Sequence, residues 1–291
     1  MYTGSFVALL TPMKNGAVDE AAFQSFVDWQ INQGTNGLVP CGTTGESPTL
    51  THTEHKRVTE LCIEVTAGRV PVMAGAGSNS TAEAVDLAKH AEGAGANSVL
   101  VVSPYYNKPT QDGLYAHYKA VNDAVGIPII VYNIPGRSVV NVDLDTLARL
   151  AELPNIAGVK DATSDLALPI VYKREFGADF CQMSGEDATA IPYLAAGGHG
   201  CISVTANIAP DLCVAQHAAW SAGDVAGAQA IQDRLIAVHS AMFCESSPGP
   251  VKYAAELLGH CGSEMRLPLV DISAASKAQV EAALKEAGLL G

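Results

Sequence analysis

Eight short apolar segments recur along the first 207 residues, and each is followed by a longer stretch with helical periodicity. The segments are nearly continuous in apolar residues rather than alternating, which is typical of parallel strands covered on both faces. Their starts lie about 20 to 34 residues apart, the length of one strand-plus-helix unit. The predicted strands are 5–12, 36–42, 70–77, 97–106, 127–136, 155–162, 179–187 and 200–207.

The stretches between these strands carry helix boundary signals. Residues 79–81, with Glu83 behind them, and Asp143 ahead of LDTLARLAEL are typical of helix N-termini. Three glycines, which favour the left-handed conformation at a helix end, precede predicted strands: Gly34, Gly95 and Gly177.

Eight such units predict an α/β protein with a closed (β/α)8 TIM barrel, and a doubly wound sheet is the alternative topology. After Asn207 the pattern becomes purely helical. We therefore expect a barrel over residues 1–207 and C-terminal helices over 208–291, the latter containing the last barrel helix and a helical appendage.

Composition and charge narrow the possible partners. The net charge of −13 disfavours nucleic acid and anionic membranes, so an anionic ligand needs a local cationic site. The apolar run at 127–132 is far shorter than the roughly 18 residues that span a bilayer, and the N-terminus lacks a basic region typical of signal peptides. Seven scattered cysteines without a CxxC pair indicate reduced thiols and a cytoplasmic location.

Lys160 lies in AGVKDAT, a run of small and β-branched residues that otherwise has the composition of a protein interior. Burying an ammonium is unfavourable, whereas a neutral amine in a dry pocket is a nucleophile that can form a Schiff base with a carbonyl carbon. The alternative is a structural lysine paired with a nearby acid such as Asp161.

Other polar residues follow predicted strands, whose carboxyl ends meet at one rim of a barrel. Tyr132 is either a proton shuttle or an ordinary strand-end tyrosine, and Arg137 either grips a carboxylate or is simply solvated. The stretch GTTGES at 42–47 offers hydroxyls and flexible glycines for an anion. The pair His52 and His55 lacks an evident third ligand, so we expect no metal. The residues expected at this rim are Thr43, Thr44, Tyr105, Tyr106, Tyr132, Arg137, Lys160 and Gly185.

Four segments in this order and spacing carry a resemblance to a known family: LVPCGTTGESPTL, SPYYNKPTQDGLYAHY, YNIPGRSVVN and GVKDAT, with Lys160 placed 28 residues beyond Tyr132. Over essentially its whole length the chain resembles the dihydrodipicolinate synthase and N-acetylneuraminate lyase family of Schiff-base (β/α)8 enzymes. Arg137 favours the synthase branch, because the lyase branch lacks that arginine. Cys41 and Glu186 depart from residues common in the family.

The resemblance implies condensation of pyruvate with L-aspartate 4-semialdehyde in lysine and diaminopimelate biosynthesis, with no cofactor beyond the imine on Lys160. By resemblance, Thr44, Tyr132 and Tyr106 relay protons, with Tyr106 reaching a neighbouring subunit's site. Thr43 and Thr44 hold the pyruvate carboxylate and Arg137 that of the semialdehyde. Gly185 and the carbonyl of Ile202 are the remaining site contacts.

The resemblance further implies a homotetramer built as a dimer of dimers, and feedback inhibition by L-lysine. The residues that resemble the lysine pocket are Ser47, Leu50, His52, His55, Asn79, Glu83 and Tyr105. Two other classes of function remain open at this point. One is a phosphosugar isomerase that holds phosphate at AGGHG, residues 196–200, and the other is a non-catalytic barrel that senses a keto acid.

Overall fold

A computed structural model describes all 291 residues, with eight parallel strands in one sheet and one separate hairpin. The strands are β1 Gly4–Ala8, β2 Met13–Lys14, β3 Ala17–Val18, β4 Gly37–Val39, β5 Met73–Gly75, β6 Ser98–Val102, β7 Ile129–Asn133, β8 Ile156–Asp161, β9 Cys181–Ser184 and β10 Gly200–Ser203. The helices are α1 Glu20–Asn32, α2 His52–Thr66, α3 Thr81–Ala94, α4 Gln111–Asn122, α5 Pro135–Ser138, α6 Leu144–Ala151, α7 Leu168–Phe176, α8 Ala190–Ala195, α9 Pro210–Ser221, α10 Val225–Ala241, α11 Gly249–Leu257 and α12 Ala274–Glu286.

The sheet order is β4-β1-β10-β9-β8-β7-β6-β5, which follows the order of the strands along the chain when it is read as a cycle. A doubly wound sheet instead reverses its strand order near the middle. The topology is therefore that of a (β/α)8 barrel, and this prediction is confirmed. Every one of the eight predicted strand segments overlaps an observed strand.

Residues 1–3 and 72–202 form one compact unit. In it β5, β6, β7, β8 and β9 pair side by side in parallel, and β10 pairs with β9. Gly95 ends α3 and Gly177 ends α7, both at positive φ, as their positions before strands predict. Asp143 caps α6 by accepting a hydrogen bond from the Thr146 amide, whereas the cap residue of α3, Ser80, makes no such side-chain bond.

Residues 4–71 and 203–291 form the second unit. Here β1 pairs in parallel with β4, and Asn207 holds the end of β1 by donating to the Ala8 carbonyl and accepting from the Leu10 amide. The predicted helical stretch after residue 207 is observed as α9 to α12. The division into residues 1–207 and 208–291 remains a prediction about domain organisation.

The hairpin of β2 and β3 is a feature that the sequence analysis did not anticipate. Its turn residues, Asn15 and Gly16, both have positive φ, and Asn-Gly is a strong signal for such a turn. Both turn amides donate to the Glu264 carboxylate, so the hairpin is bonded to the segment between α11 and α12.

No helix is both long enough and apolar enough to cross a membrane. All seven cysteines are free thiols, and five of them are buried.

An ion pair in the second unit generates a prediction about acid stability. The Arg266 guanidinium bonded to Glu54 lowers the pKa of that carboxyl from 4.5 to about 2. An unfolded chain therefore binds more protons than the folded one between these pH values, so stability is lost as pH falls through the window.

We expect Glu54→Gln to reduce the free energy of unfolding at neutral pH by about 1–2 kcal/mol, after allowance for solvent screening. Urea unfolding from neutral pH down to pH 3 checks this, because the difference from the parent chain should shrink as the pH falls. The exposed Glu152→Gln is the control. A difference that stays constant over this range would contradict the assignment.

Candidate active site

Lys160 lies on β8, directly opposite Tyr132 in the neighbouring β7. The Lys160 Nζ atom lies 4.2 Å from the centroid of the Tyr132 ring, and both side chains are only 6% exposed. The parallel register therefore brings together the two residues that the sequence analysis paired as nucleophile and proton shuttle.

The Lys160 side chain has no carboxylate partner, although its neighbour in sequence is an aspartate. One oxygen of Asp161 accepts hydrogen bonds from the amide and the hydroxyl of Thr163, at 2.9 and 2.7 Å. Successive side chains of a strand point to opposite faces, so Asp161 is turned away from Lys160. The structural alternative of an ion pair between these two residues is therefore not observed.

Gly185 follows β9 and lies close to the lysine. Its amide donates to the Asp161 carbonyl at 2.7 Å. A Cβ atom at this position would lie 3.3 Å from Lys160 Cε and 2.8 Å from the Ala162 Cβ. The absence of a side chain at Gly185 thus leaves room beside Lys160.

Ile202, another predicted site residue, is fully buried on β10, the strand that pairs with β9.

Glu186, which departs from the family's common residue, follows Gly185 after β9. Burial raises the pKa of its carboxyl, and so does the charge of Asp187, while the positive charges of Lys160 and Arg137 act in the opposite direction. Both cations therefore lie within electrostatic reach of this carboxyl. The sequence signal for a residue of this site is its position, because Glu186 directly follows Gly185, a predicted site residue at the end of a strand.

At the carboxyl ends of β8 and β9 a small polar pocket of about 10 Å³, room for one water, is lined by Asp161, Glu186 and Tyr193 among others. The second oxygen of Asp161 and the Tyr193 hydroxyl are buried without a hydrogen-bond partner. Burial raises the pKa of both groups. Lys160 is not among the residues that line this pocket.

Arg137 and Tyr106, also predicted site residues of this unit, are exposed. Arg137 lies in the short helix α5, immediately after β7. Tyr106 is 88% exposed and has a φ of 73°, a left-handed conformation that is rare for an aromatic residue. Tyr105 beside it is half-buried. Tyr106 therefore presents its ring away from the chain that carries it.

In the second unit, Thr43 and Thr44 lie in the turn after β4. The turn is held by its own backbone, because the Gly45 and Ser47 amides donate to the Gly42 carbonyl. The Thr11 hydroxyl adds a bond to the Gly45 carbonyl at 2.8 Å. Thr44 is 3% exposed, and Thr43 is half-buried. The GTTGES stretch is thus a turn held by its own backbone at the carboxyl end of a strand, and its role in binding an anion remains a prediction.

The predicted lysine-binding residues are divided between the two units. In the first unit the Asn79 carbonyl accepts from the Asn107 side chain at 2.9 Å, and the Glu83 carboxylate is bonded to the Ser78 hydroxyl. In the second unit Ser47 begins a short 3₁₀ helix, Leu50 and His55 are buried, and His52 is exposed. No group of three or more His, Cys, Asp or Glu side chains is arranged to hold a metal ion.

A family model described as the dihydrodipicolinate synthetase family matches residues 1–287. The chain belongs to this family.

Similar members share both sequence and fold over the whole chain. A protein named 4-hydroxy-tetrahydrodipicolinate synthase from Rhodospirillum centenum is 62% identical, over 100% of both chains. The chloride-inhibited dihydrodipicolinate synthase of Acinetobacter baumannii, solved as a complex with pyruvate, is 44% identical with a TM-score of 0.97 and 100% coverage of both chains. The enzyme from Cyanidioschyzon merolae, solved with lysine bound, is 36% identical with a TM-score of 0.96 and 99% coverage of both.

The space beside Lys160 generates a prediction about Gly185. In Gly185→Ala the added methyl group must displace Ala162 or the lysine side chain, and overpacking of this kind costs about 1–3 kcal/mol. For a chain of this size that corresponds to a lowering of Tm by roughly 2–10 °C. Differential scanning calorimetry provides the measurement.

The matched control is Gly93→Ala in α3, where a Cβ atom meets nothing within 4 Å. We expect this variant to be unchanged or slightly stabilised, because alanine is a better helix former than glycine. Equal melting temperatures for the two variants would show that Gly185 is not crowded.

Proposed function

We propose that this chain condenses pyruvate with L-aspartate 4-semialdehyde to give 4-hydroxy-tetrahydrodipicolinate, a step in lysine and diaminopimelate biosynthesis. One observation carries the proposal. Lys160 is 6% exposed, has no ion pair, and has its amine nitrogen 4.2 Å from the Tyr132 ring centroid. A buried primary amine beside a phenol is a suitable nucleophile for a carbonyl carbon.

The covalent chemistry uses the chain's own lysine. The Lys160 nitrogen adds to the keto carbon of pyruvate, and loss of one water leaves an imine. Loss of a methyl proton converts the imine to an enamine, whose carbon attacks the aldehyde of the second substrate. The amine of the semialdehyde then adds to the imine carbon and displaces the Lys160 nitrogen, which closes the ring and frees the lysine; one water is released overall and no cofactor is consumed. Tyr132, adjacent to the amine, and Thr44 pass protons in these steps, together with Tyr106 from a neighbouring copy.

The carboxylates of the two substrates are bound by residues in the loops that follow β4 and β7. In this proposal the turn at Thr43 and Thr44 holds the pyruvate carboxylate, and the Arg137 guanidinium holds that of the semialdehyde. Gly185 and the Ile202 carbonyl complete the contacts. Local cations are required because the chain as a whole carries a net charge of −13.

The exposed Tyr106 supports an assembly in which its ring enters a neighbouring copy. An aromatic side chain held at 88% exposure in a left-handed backbone conformation is unfavourable in an isolated chain. We propose a homotetramer built as a dimer of dimers, in which this ring is covered. The scattered free thiols support a cytoplasmic location.

The phosphosugar isomerase alternative loses support at AGGHG. The Gly198 amide donates to the Tyr193 carbonyl, and the His199 amide donates to the Gln182 carbonyl. The His199 ring accepts from the Gln182 amide in return. These amides are therefore engaged within the protein and do not form a free phosphate cradle. A keto-acid sensor would not need the full set of proposed catalytic groups.

Deletion of the proposed nucleophile tests the reaction. We expect Lys160→Ala to lower turnover at least about a thousandfold, because the imine can no longer form. Borohydride reduction with pyruvate should inactivate the parent chain and leave no adduct on the variant. Circular dichroism establishes that the variant is folded, and Lys173→Ala, which removes an exposed lysine, is the matched control. Undiminished turnover in folded Lys160→Ala would refute the proposal.

The lysine-bound relative supports a second test. We propose that L-lysine inhibits this enzyme by binding near Asn79 and Glu83, where the carboxylate suits an ammonium group. Glu83→Gln should raise the lysine concentration for half-inhibition about tenfold without changing turnover in its absence. Steady-state assays against Glu152→Gln as a control measure this. Unaltered turnover at saturating lysine in the parent chain would contradict the proposal.

A further inference from the structure

The second unit contains a fully buried ion pair between Lys252 and Glu46. The Lys252 side chain on α11 and the Glu46 side chain have no exposed surface, and Lys252 Nζ lies 2.5 Å from Glu46 Oε1. Burying two charges is unfavourable unless their geometry and remaining hydrogen bonds are satisfied, so such a pair seldom adds stability over apolar residues of similar volume. Its presence therefore calls for a role other than packing.

The hydrogen bonds of the pair connect one loop to one C-terminal segment. Lys252 Nζ also donates to the Glu264 carbonyl at 2.5 Å. The other carboxylate oxygen of Glu46 accepts from the Arg266 amide at 3.2 Å. The Arg266 guanidinium donates to the Thr49 carbonyl at 2.8 Å. Both oxygens of Glu46 are thus held by the chain around and beyond α11.

Glu46 belongs to the turn that carries Thr43 and Thr44. Its backbone adopts φ 56° and ψ 33°, a left-handed conformation that is uncommon for a residue with a side chain. Its amide donates to the Thr43 carbonyl at 3.1 Å, and its carbonyl accepts from the Thr49 amide at 3.0 Å. A displacement of the Glu46 carboxylate therefore changes the backbone on which both threonines sit.

We infer that Lys252 is a positioning residue for pyruvate binding, which fixes the turn at Thr43 and Thr44 through its buried ion pair with Glu46. This inference rests on the proposed function, in which that turn holds the pyruvate carboxylate. Lys252 itself touches no substrate. An apolar pair would fill the same volume but would not fix the direction of the Glu46 side chain, since dispersion contacts are not directional.

Two variants separate positioning from stability. Lys252→Met leaves the Glu46 carboxylate buried without its cation, so this variant is expected to lose stability as well as binding. Lys252→Met combined with Glu46→Gln removes both charges and keeps an acceptor for the Arg266 amide. We expect the double variant to recover the melting temperature of the parent chain within a few degrees.

The decisive readout is the pyruvate concentration that half-saturates borohydride trapping on Lys160. In the double variant we expect it to rise at least about tenfold, because small misplacements of substrate-binding groups weaken productive binding strongly. The KM for the semialdehyde, whose proposed contact is Arg137, should stay within about twofold of the parent value. A purely structural role of Lys252 would not raise the half-saturating pyruvate concentration while leaving the KM for the semialdehyde unchanged.

The control is Arg69→Met, which breaks the half-exposed ion pair of Arg69 with Asp28 at 2.8 Å and leaves the turn untouched. Half-saturation at the parent pyruvate concentration in the double variant would overturn the inference, and so would equal increases for both substrates. If the parent chain itself forms no adduct, the proposed function fails; if it does and the double variant matches it, only the inference about Lys252 fails.

Discussion

The proposed chemistry depends on a primary amine, that of Lys160, which is buried and forms no ion pair. Lys160 is held by the pairing of β8 with β7 on one side and with β9 on the other, so its position is set by two neighbouring strands. Asp161, the nearest acid in sequence, is committed to Thr163 on the opposite face. The Lys160 nitrogen is thus left without an ion-pair partner, and in the proposed reaction it forms a covalent bond with a carbonyl carbon.

Lys252 is a second buried lysine, and in contrast to Lys160 its charge is paired with a carboxylate. It lies on α11, and its amine is bonded to the Glu46 carboxylate and to the Glu264 carbonyl. We therefore propose that one buried lysine is a reactive group, whereas the other fixes the position of a loop. Under this proposal the C-terminal helices contribute to substrate binding, which their helical pattern alone does not indicate.

Local signals in the sequence predicted the eight parallel strands, the cap at Asp143 and the helix ends at Gly95 and Gly177, because each depends on a few neighbouring residues. The family and the enzyme class followed from motif order and are confirmed by the full-length relatives. The hairpin at Asn15 was missed although its turn signal is local. The ion pair of Lys252 with Glu46 could not be predicted from the sequence, because it joins residues 206 positions apart and no sequence pattern indicates it. The assigned site roles remain predictions.

A crystal structure of the enzyme soaked in pyruvate tests the central claim most directly, because it displays the bond rather than its consequences. We expect continuous electron density from the Lys160 nitrogen to the keto carbon, with the carboxylate of the adduct directed at the turn of Thr43 and Thr44. Pyruvate bound as a separate molecule beside an unmodified Lys160, or joined to a different lysine, would contradict it.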